Sequence, residues 1–335
     1  MGYYSTSNRR KRSLSDFPTM FFTVVVALLC RAAGYCFSIG LPLQKGDSYL
    51  WNAVAGCLGN PVVACSAGLF AALVIAVMIY NVCEGQMLIE KRSRLPFALP
   101  LLLTSINAGL LPVSEVYVIL LCMVITVSKL FYSYCSADLT GPIYIGFVFI
   151  GVASLFAPQM LWLVPMALIG MYQLNSLGFK SFIAAILGVA VVFWIAFGWC
   201  VLWDDYSIFS SFVDELFGFR IITLNDLLEY QRAGAAMFMI ILAISFVRVK
   251  MDTFHNSVKV RQMLSFLINL SVWTLLMILL FQDKTDLFLA VLSIPASILI
   301  AYFLENIRSR FSFILYYLLL FLYLSSFVVG LWSFL

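Results

Sequence analysis

The sequence predicts an all-α fold: a polytopic transmembrane helix bundle of ten to eleven spans, with one amphipathic helix on its extracytoplasmic side. Three observations predict it. The chain of 335 residues is 63% hydrophobic and only 11% charged, which leaves no composition for a soluble domain. Apolar runs near twenty residues, the length that crosses a hydrocarbon core of about 30 Å, recur from one end to the other. One stretch interrupts them, Trp203 to Arg232, and it carries six of the sixteen acidic residues.

In chain order, residues 1–16 read as a cytoplasmic tail ending in the basic cluster Arg9, Arg10, Lys11 and Arg12, and residues 17–335 as a single transmembrane domain. The first apolar run continues past Cys30-Arg31-Ala32-Ala33-Gly34 without an A-x-A cleavage pattern, so it predicts an uncleaved span over 18–40. A second span over 62–83 leads into a loop with Lys91, Arg92 and Arg94. The segment 95–111 holds Pro96, Pro100, Asn107 and Gly109 and reads either as a full span or as a broken, re-entrant one. Residues 116–134 form a fourth span. Two shorter apolar runs, 143–156 and 160–172, flank Ala157-Pro158-Gln159 and predict a tight hairpin at the outer face. Spans over 182–203, 233–247, 264–281, 287–303 and 311–335 complete the count, with a basic loop over 248–261 before the ninth.

Eleven spans put the amino terminus inside and the carboxyl terminus outside. On that topology fifteen of the twenty Lys and Arg lie on the inner side, and only Lys45, Arg220, Arg232 and Lys284 lie outside. This distribution follows the positive-inside rule at every loop and predicts a multi-pass membrane protein with its amino terminus in the cytoplasm. It also places the acidic stretch on the extracytoplasmic side.

Several function classes are excluded. The basic residues form short juxtamembrane clusters rather than a stripe, so no nucleic acid is expected as a partner. Eight scattered cysteines without a C-x-x-C pair, and His255 as the one histidine, give no metal site, and no cofactor is expected. Phosphate-loop, dinucleotide, zinc-protease and nucleophile-elbow patterns are all missing.

Within 204–232, the residues Ile208, Phe209, Phe212, Val213, Leu216 and Phe217 recur at helical spacing, opposite Ser210, Ser211, Asp214 and Glu215. That pattern predicts an amphipathic helix lying flat over the outer mouth of the bundle. Arg31 is the sharpest single residue. A guanidinium deep in an apolar span costs a few kcal/mol, so it faces a cavity, a carboxylate or an anionic ligand, unless the span ends near Ala33 and Arg31 snorkels to the interface. Asp47 follows in the first outer loop, and Asp204 and Asp205 stand at the outer end of the seventh span.

An outer carboxylate, a cation at headgroup depth and a covering helix together resemble the architecture of polytopic glycosyltransferases that use polyprenyl-phosphate sugars. In that reading Asp47 or Asp205 deprotonates the acceptor hydroxyl, while Arg31, with Asp204 nearby, binds the substrate. Membrane lipids are partners by construction, and a lipid-linked glycan is the expected substrate. Two other readings stay open: a transporter or lipid flippase with Arg31 paired to a carboxylate, and a non-catalytic subunit whose outer helix docks another membrane protein.

The runs NVCEGQMLIEKRSRLPFALPLLLTS (from Asn81), IYIGFVFIGVASLFAPQMLWLVPMALIGMY (from Ile143), FKSFIAAILGVAVVFWI (from Phe179) and AVLSIPASILIAYFLENIRSR (from Ala290) resemble a family of polytopic inner-membrane proteins of Bacteroides-type bacteria. The resemblance implies a bacterial cytoplasmic membrane and around ten helices. It carries over no catalytic residues.

Overall fold

A computed structural model describes residues 17–38, 51, 61–89, 93–106, 113–136, 138–203, 207–219, 243, 257–306, 317, 320–321 and 324. Among these the structure is helical without strands, and five helices are long and apolar enough to cross a membrane. The protein is an all-α, multi-pass membrane protein. Its described helices are α1 (Phe17–Ser38), α2 (Pro61–Gly85), α3 (Leu95–Ile106), α4 (Glu115–Tyr132), α5 (Thr140–Phe156), α6 (Leu163–Gln173), α7 (Phe179–Trp203), α8 (Ser207–Leu216), α9 (Val258–Leu280) and α10 (Thr285–Asn306). The five long apolar ones are α2, α4, α7, α9 and α10. The expected spans over 233–247 and 311–335 lie almost wholly outside the described residues.

Two ends of the bundle are fixed by contacts between chain turns. The Val113 amide donates to the Ala64 carbonyl, which joins the start of α4 to the start of α2 at one end, here called the upper. The Cys135 amide donates to the Leu174 carbonyl and joins the finishes of α4 and α6 at the lower end. Helices that finish at the lower end stop on a left-handed residue, Met87, Cys135 or Asn175, the usual device for closing a last turn. By helix direction Arg94, Lys129, Lys180, Lys259 and Arg261 belong to the lower end, and Glu115, Asp214, Glu215 and Asp286 to the upper.

Three expected boundaries shift. The loop expected over 248–261 gives way to helix at Val258, because the Ser257 side chain accepts from the Val260 amide and caps α9. Lys259 and Arg261 therefore stand on a helix whose first turn extends past the apolar zone. Of the third apolar segment, 95–111, the described residues form the twelve-residue helix α3, and 107–111 lie outside the described residues. At about 1.5 Å per residue this helix is far shorter than the hydrocarbon core. The hairpin at Ala157 turns as expected, through a 3-10 turn over Pro158–Trp162, but its two arms diverge rather than pack together.

The core is built around α10, which touches α2, α3, α4 and α9. Its Phe288 and Val291 are fully buried, and Ser293 and Ser297 satisfy their hydroxyls on their own backbone at Ala290 and Ile294. Elsewhere, close helix approaches rest on glycine. A Cβ at Gly188 of α7 would stand 2.7 Å from the Tyr144 carbonyl oxygen and 3.0 Å from the Phe147 Cβ of α5. A Cβ at Gly170 of α6 would collide with the Phe266 ring of α9. In lipid, such small-residue contacts hold helices together through dispersion, since apolar burial alone gives no advantage there.

Candidate functional site

Of the site residues expected from the sequence, Arg31 lies within the described structure, whereas Asp47, Asp204 and Asp205 lie outside it. Helix α1 continues seven residues beyond Arg31 to Ser38, so the span does not end near Ala33. Arg31 is 7% exposed and buried among helices rather than snorkelling to an interface. It stands fourteen residues past Phe17, roughly 21 Å up the axis of α1.

Two neighbouring helices hold its guanidinium. Its Nε donates to Ser105 Oγ at 2.9 Å, from the last turn of α3. Its Nη2 donates to the Tyr117 hydroxyl at 2.8 Å, from the first turn of α4. Ser105 in turn donates to the Leu101 carbonyl at 2.6 Å, which fixes the rotamer that faces Arg31. The third nitrogen, Nη1, is buried and has no hydrogen-bond partner among the described residues. Glu115, at the first residue of α4, is also buried at this end, where the helix dipole favours a negative charge.

The magnitudes explain why this arrangement is tolerated. Placing an arginine at membrane depth costs about 3 kcal/mol on insertion scales. Two hydrogen bonds to a charged group contribute about 3–6 kcal/mol together. The two hydroxyls therefore offset insertion, and being neutral they do not cancel the positive charge; one donor stays unused among the described residues. A guanidinium with a free Nη can take one oxygen of a phosphate or carboxylate.

Sequence reasoning found Arg31 but missed Ser105 and Tyr117. Both are ordinary residues of apolar helices, and their signal lay in depth: each stands at the upper end of its helix, level with Arg31. The sequence left a cavity, a carboxylate and an anionic ligand open as what Arg31 faces, and the described hydrogen-bond partners are neutral hydroxyls.

The expected amphipathic helix is present as α8, at the upper end. Phe212 packs edge-on against Phe193 of α7 at 5.3 Å between centroids, while Asp214 is exposed. Its C-terminal carbonyls, which a helix leaves without internal donors, are taken up by side chains of the 3-10 turn. Gln159 Nε2 donates to the Glu215 carbonyl at 3.2 Å, and Trp162 Nε1 to the Leu216 carbonyl at 3.1 Å. Gln159 thus bonds a neighbouring element. The Trp162 carbonyl accepts from Trp273 Nε1 at 2.8 Å and ties the turn to α9.

Among the described residues, no three His, Cys, Asp or Glu side chains gather closely enough to hold a metal ion. Comparison of the chain with protein families, with curated proteins and with solved structures gave no match.

Proposed function

We propose that this integral membrane protein binds the phosphate of a membrane lipid at Arg31, on the extracytoplasmic side of a bacterial inner membrane. The observation that carries the reading is the buried Nη1, a charged donor without a partner among the described residues, beside two that are held. The orientation is supported by the lysines and arginines gathered at the lower end, which the positive-inside rule assigns to the cytoplasm. The resemblance to inner-membrane proteins of Bacteroides-type bacteria agrees with that location.

The catalytic form of this reading is an envelope enzyme acting on a polyprenyl-phosphate-linked glycan. An acceptor hydroxyl attacks the anomeric carbon, the bond from that carbon to the phosphate oxygen breaks, and Asp47 or Asp205 takes the hydroxyl proton. Arg31 then neutralises the departing phosphate.

Lipid retention tests the binding step. Protein purified in mild detergent and analysed by native mass spectrometry retains added phosphatidylglycerol or polyprenyl phosphate. Arg31→Gln loses that retention, while Lys180→Gln, a change at the lower end, keeps it. Equal retention by wild type and a folded Arg31→Gln protein removes the proposal. If Asp47→Asn and Asp205→Asn both keep wild-type function in cells, the catalytic form fails and the binding form stands.

A further inference from the structure

A second feature of the upper half has no part in the Arg31 site. A cavity of about 510 Å3 opens between α6 and α7, in the range of about 300–1,000 Å3 typical of ligand pockets. One wall is Val164, Pro165 and Leu168 of α6, and the other is Ala185, Ile186, Val189 and Ala190 of α7. Phe147 of α5 forms the floor, and Trp162, Leu216 and Phe217 close the upper end. Among the described residues no charged side chain lines it.

The gap follows from how the two walls are held. Consecutive antiparallel helices normally pack on each other, yet α6 and α7 make no extensive contact. Gly188 draws α7 onto α5, and Gly170 draws α6 onto Phe266 of α9. These attachments pull the walls in different directions, and the small side chains Ala185 and Ala190 leave the space between them unfilled. Above it, α8 is fixed in place by the two hydrogen bonds from Gln159 and Trp162, and the Trp162 ring meets Phe217 at 6.4 Å and Phe219 at 5.6 Å. The roof is thus held by bonds that do not depend on anything inside the cavity.

We propose that this groove is a binding site for the hydrocarbon chain of a membrane lipid, with α8 as its roof at headgroup level. The apolar lining excludes a polar occupant. The mouth reaches the surface of α7, where Ile186 lines the groove and is itself exposed, so a chain enters sideways from the bilayer. Asp214 and Glu215 on the roof disfavour an anionic headgroup and suit the ammonium of phosphatidylethanolamine. The groove and the Arg31 site therefore take different lipids, and either proposal can fail without the other.

Photolabelling tests it. The probe is phosphatidylethanolamine with a diazirine on its acyl chain, supplied to the full chain in bicelles, with adducts mapped by mass spectrometry. Adducts are expected in excess on Val164, Leu168 and Val189 over Ile195 and Leu202, which are exposed on α7 outside the groove. Ala190→Phe or Leu168→Trp, each filling the groove from one wall, abolishes the excess and leaves Ile195 and Leu202 labelled as before. Uniform labelling along α7 in the wild-type protein overturns the proposal, since that is bulk lipid only. So does cross-linking of a photo-leucine placed at Leu168 to residues 233–247, which would make the chain itself the occupant.

Discussion

Helices α7 and α10 are nearly equal in composition and opposite in fate. Their most apolar stretches have mean hydropathies of 2.5 and 2.4, yet 22% of the first is buried and 100% of the second. Hydropathy says that a helix lies in the membrane, not what it faces there. What separates these two is where their bulk lies. Helix α7 turns Ala184, Ala185 and Gly188 toward the protein and Phe179, Trp194 and Leu202 toward lipid, whereas α10 has buried residues on every side. In lipid a large apolar side chain gains nothing by leaving the surface, so close helix contact falls to the small residues.

The largest way to break this comparison is Gly188→Ala. The added Cβ would meet backbone atoms, the Tyr144 carbonyl oxygen at 2.7 Å and the Val148 nitrogen at 3.1 Å, and backbone cannot rotate away. A loss of about 3 kcal/mol is expected, the upper part of the range for overpacking. Gly198→Ala on the same helix meets nothing within 4 Å, and there the better helix propensity of alanine should leave stability equal or raised by up to about 1 kcal/mol. Reversible unfolding in mixed micelles reads both. Equal effects at the two positions would mean that α7 does not pack on α5 through Gly188.

On α10, Phe288→Ala should cost about 2 kcal/mol. The side chain is 0% exposed and lies beside Phe281 at 6.0 Å, so its removal leaves a cavity. Because the unfolded helix remains in lipid, the water-transfer part of the usual 3–5 kcal/mol falls away and only lost packing remains.

A polar counterpart tests the upper end of the bundle. Tyr117→Phe removes the hydroxyl that accepts from Arg31 Nη2 and leaves two guanidinium nitrogens without partners. It should destabilise by about 1–2 kcal/mol, since hydrogen bonds in membranes average below those to charges elsewhere. An added phosphate-bearing lipid should restore part of the loss, measured as a rise in unfolding temperature. No loss at all would place Arg31 in contact with water or lipid rather than in the helix interface.

These contrasts also mark what the sequence could disclose. The helical class, the long spans and α8 were legible because each rests on local patterns: apolar length for the spans and a 3.6-residue period for Ile208 to Phe217. Arg31 was legible because a charge in an apolar run has few explanations. Its partners were not, because Ser105 and Tyr117 meet it across α1, α3 and α4, and that choice of neighbours depends on helix packing rather than on any local pattern. The diverging arms of α5 and α6 were hidden for the same reason. Pro158 announced a turn, but Gly170 and Gly188 decided which helix each arm packed against.

The smallest expected effect falls on the most conspicuous residue. Trp194 is 79% exposed on α7, and with Ile195, Trp199 and Leu202 it forms an apolar stripe toward the membrane. If that stripe faces only lipid chains, Trp194→Ala exchanges one apolar surface for another, and stability should stay within about 0.5 kcal/mol. The prediction is informative because the opposite result has a definite meaning. A loss above 1–2 kcal/mol, or a change in particle size on gel filtration, would show that α7 meets another protein. Its low burial would then describe an isolated chain rather than the assembly, and docking of a partner membrane protein, expected at the outer helix α8, would move to α7.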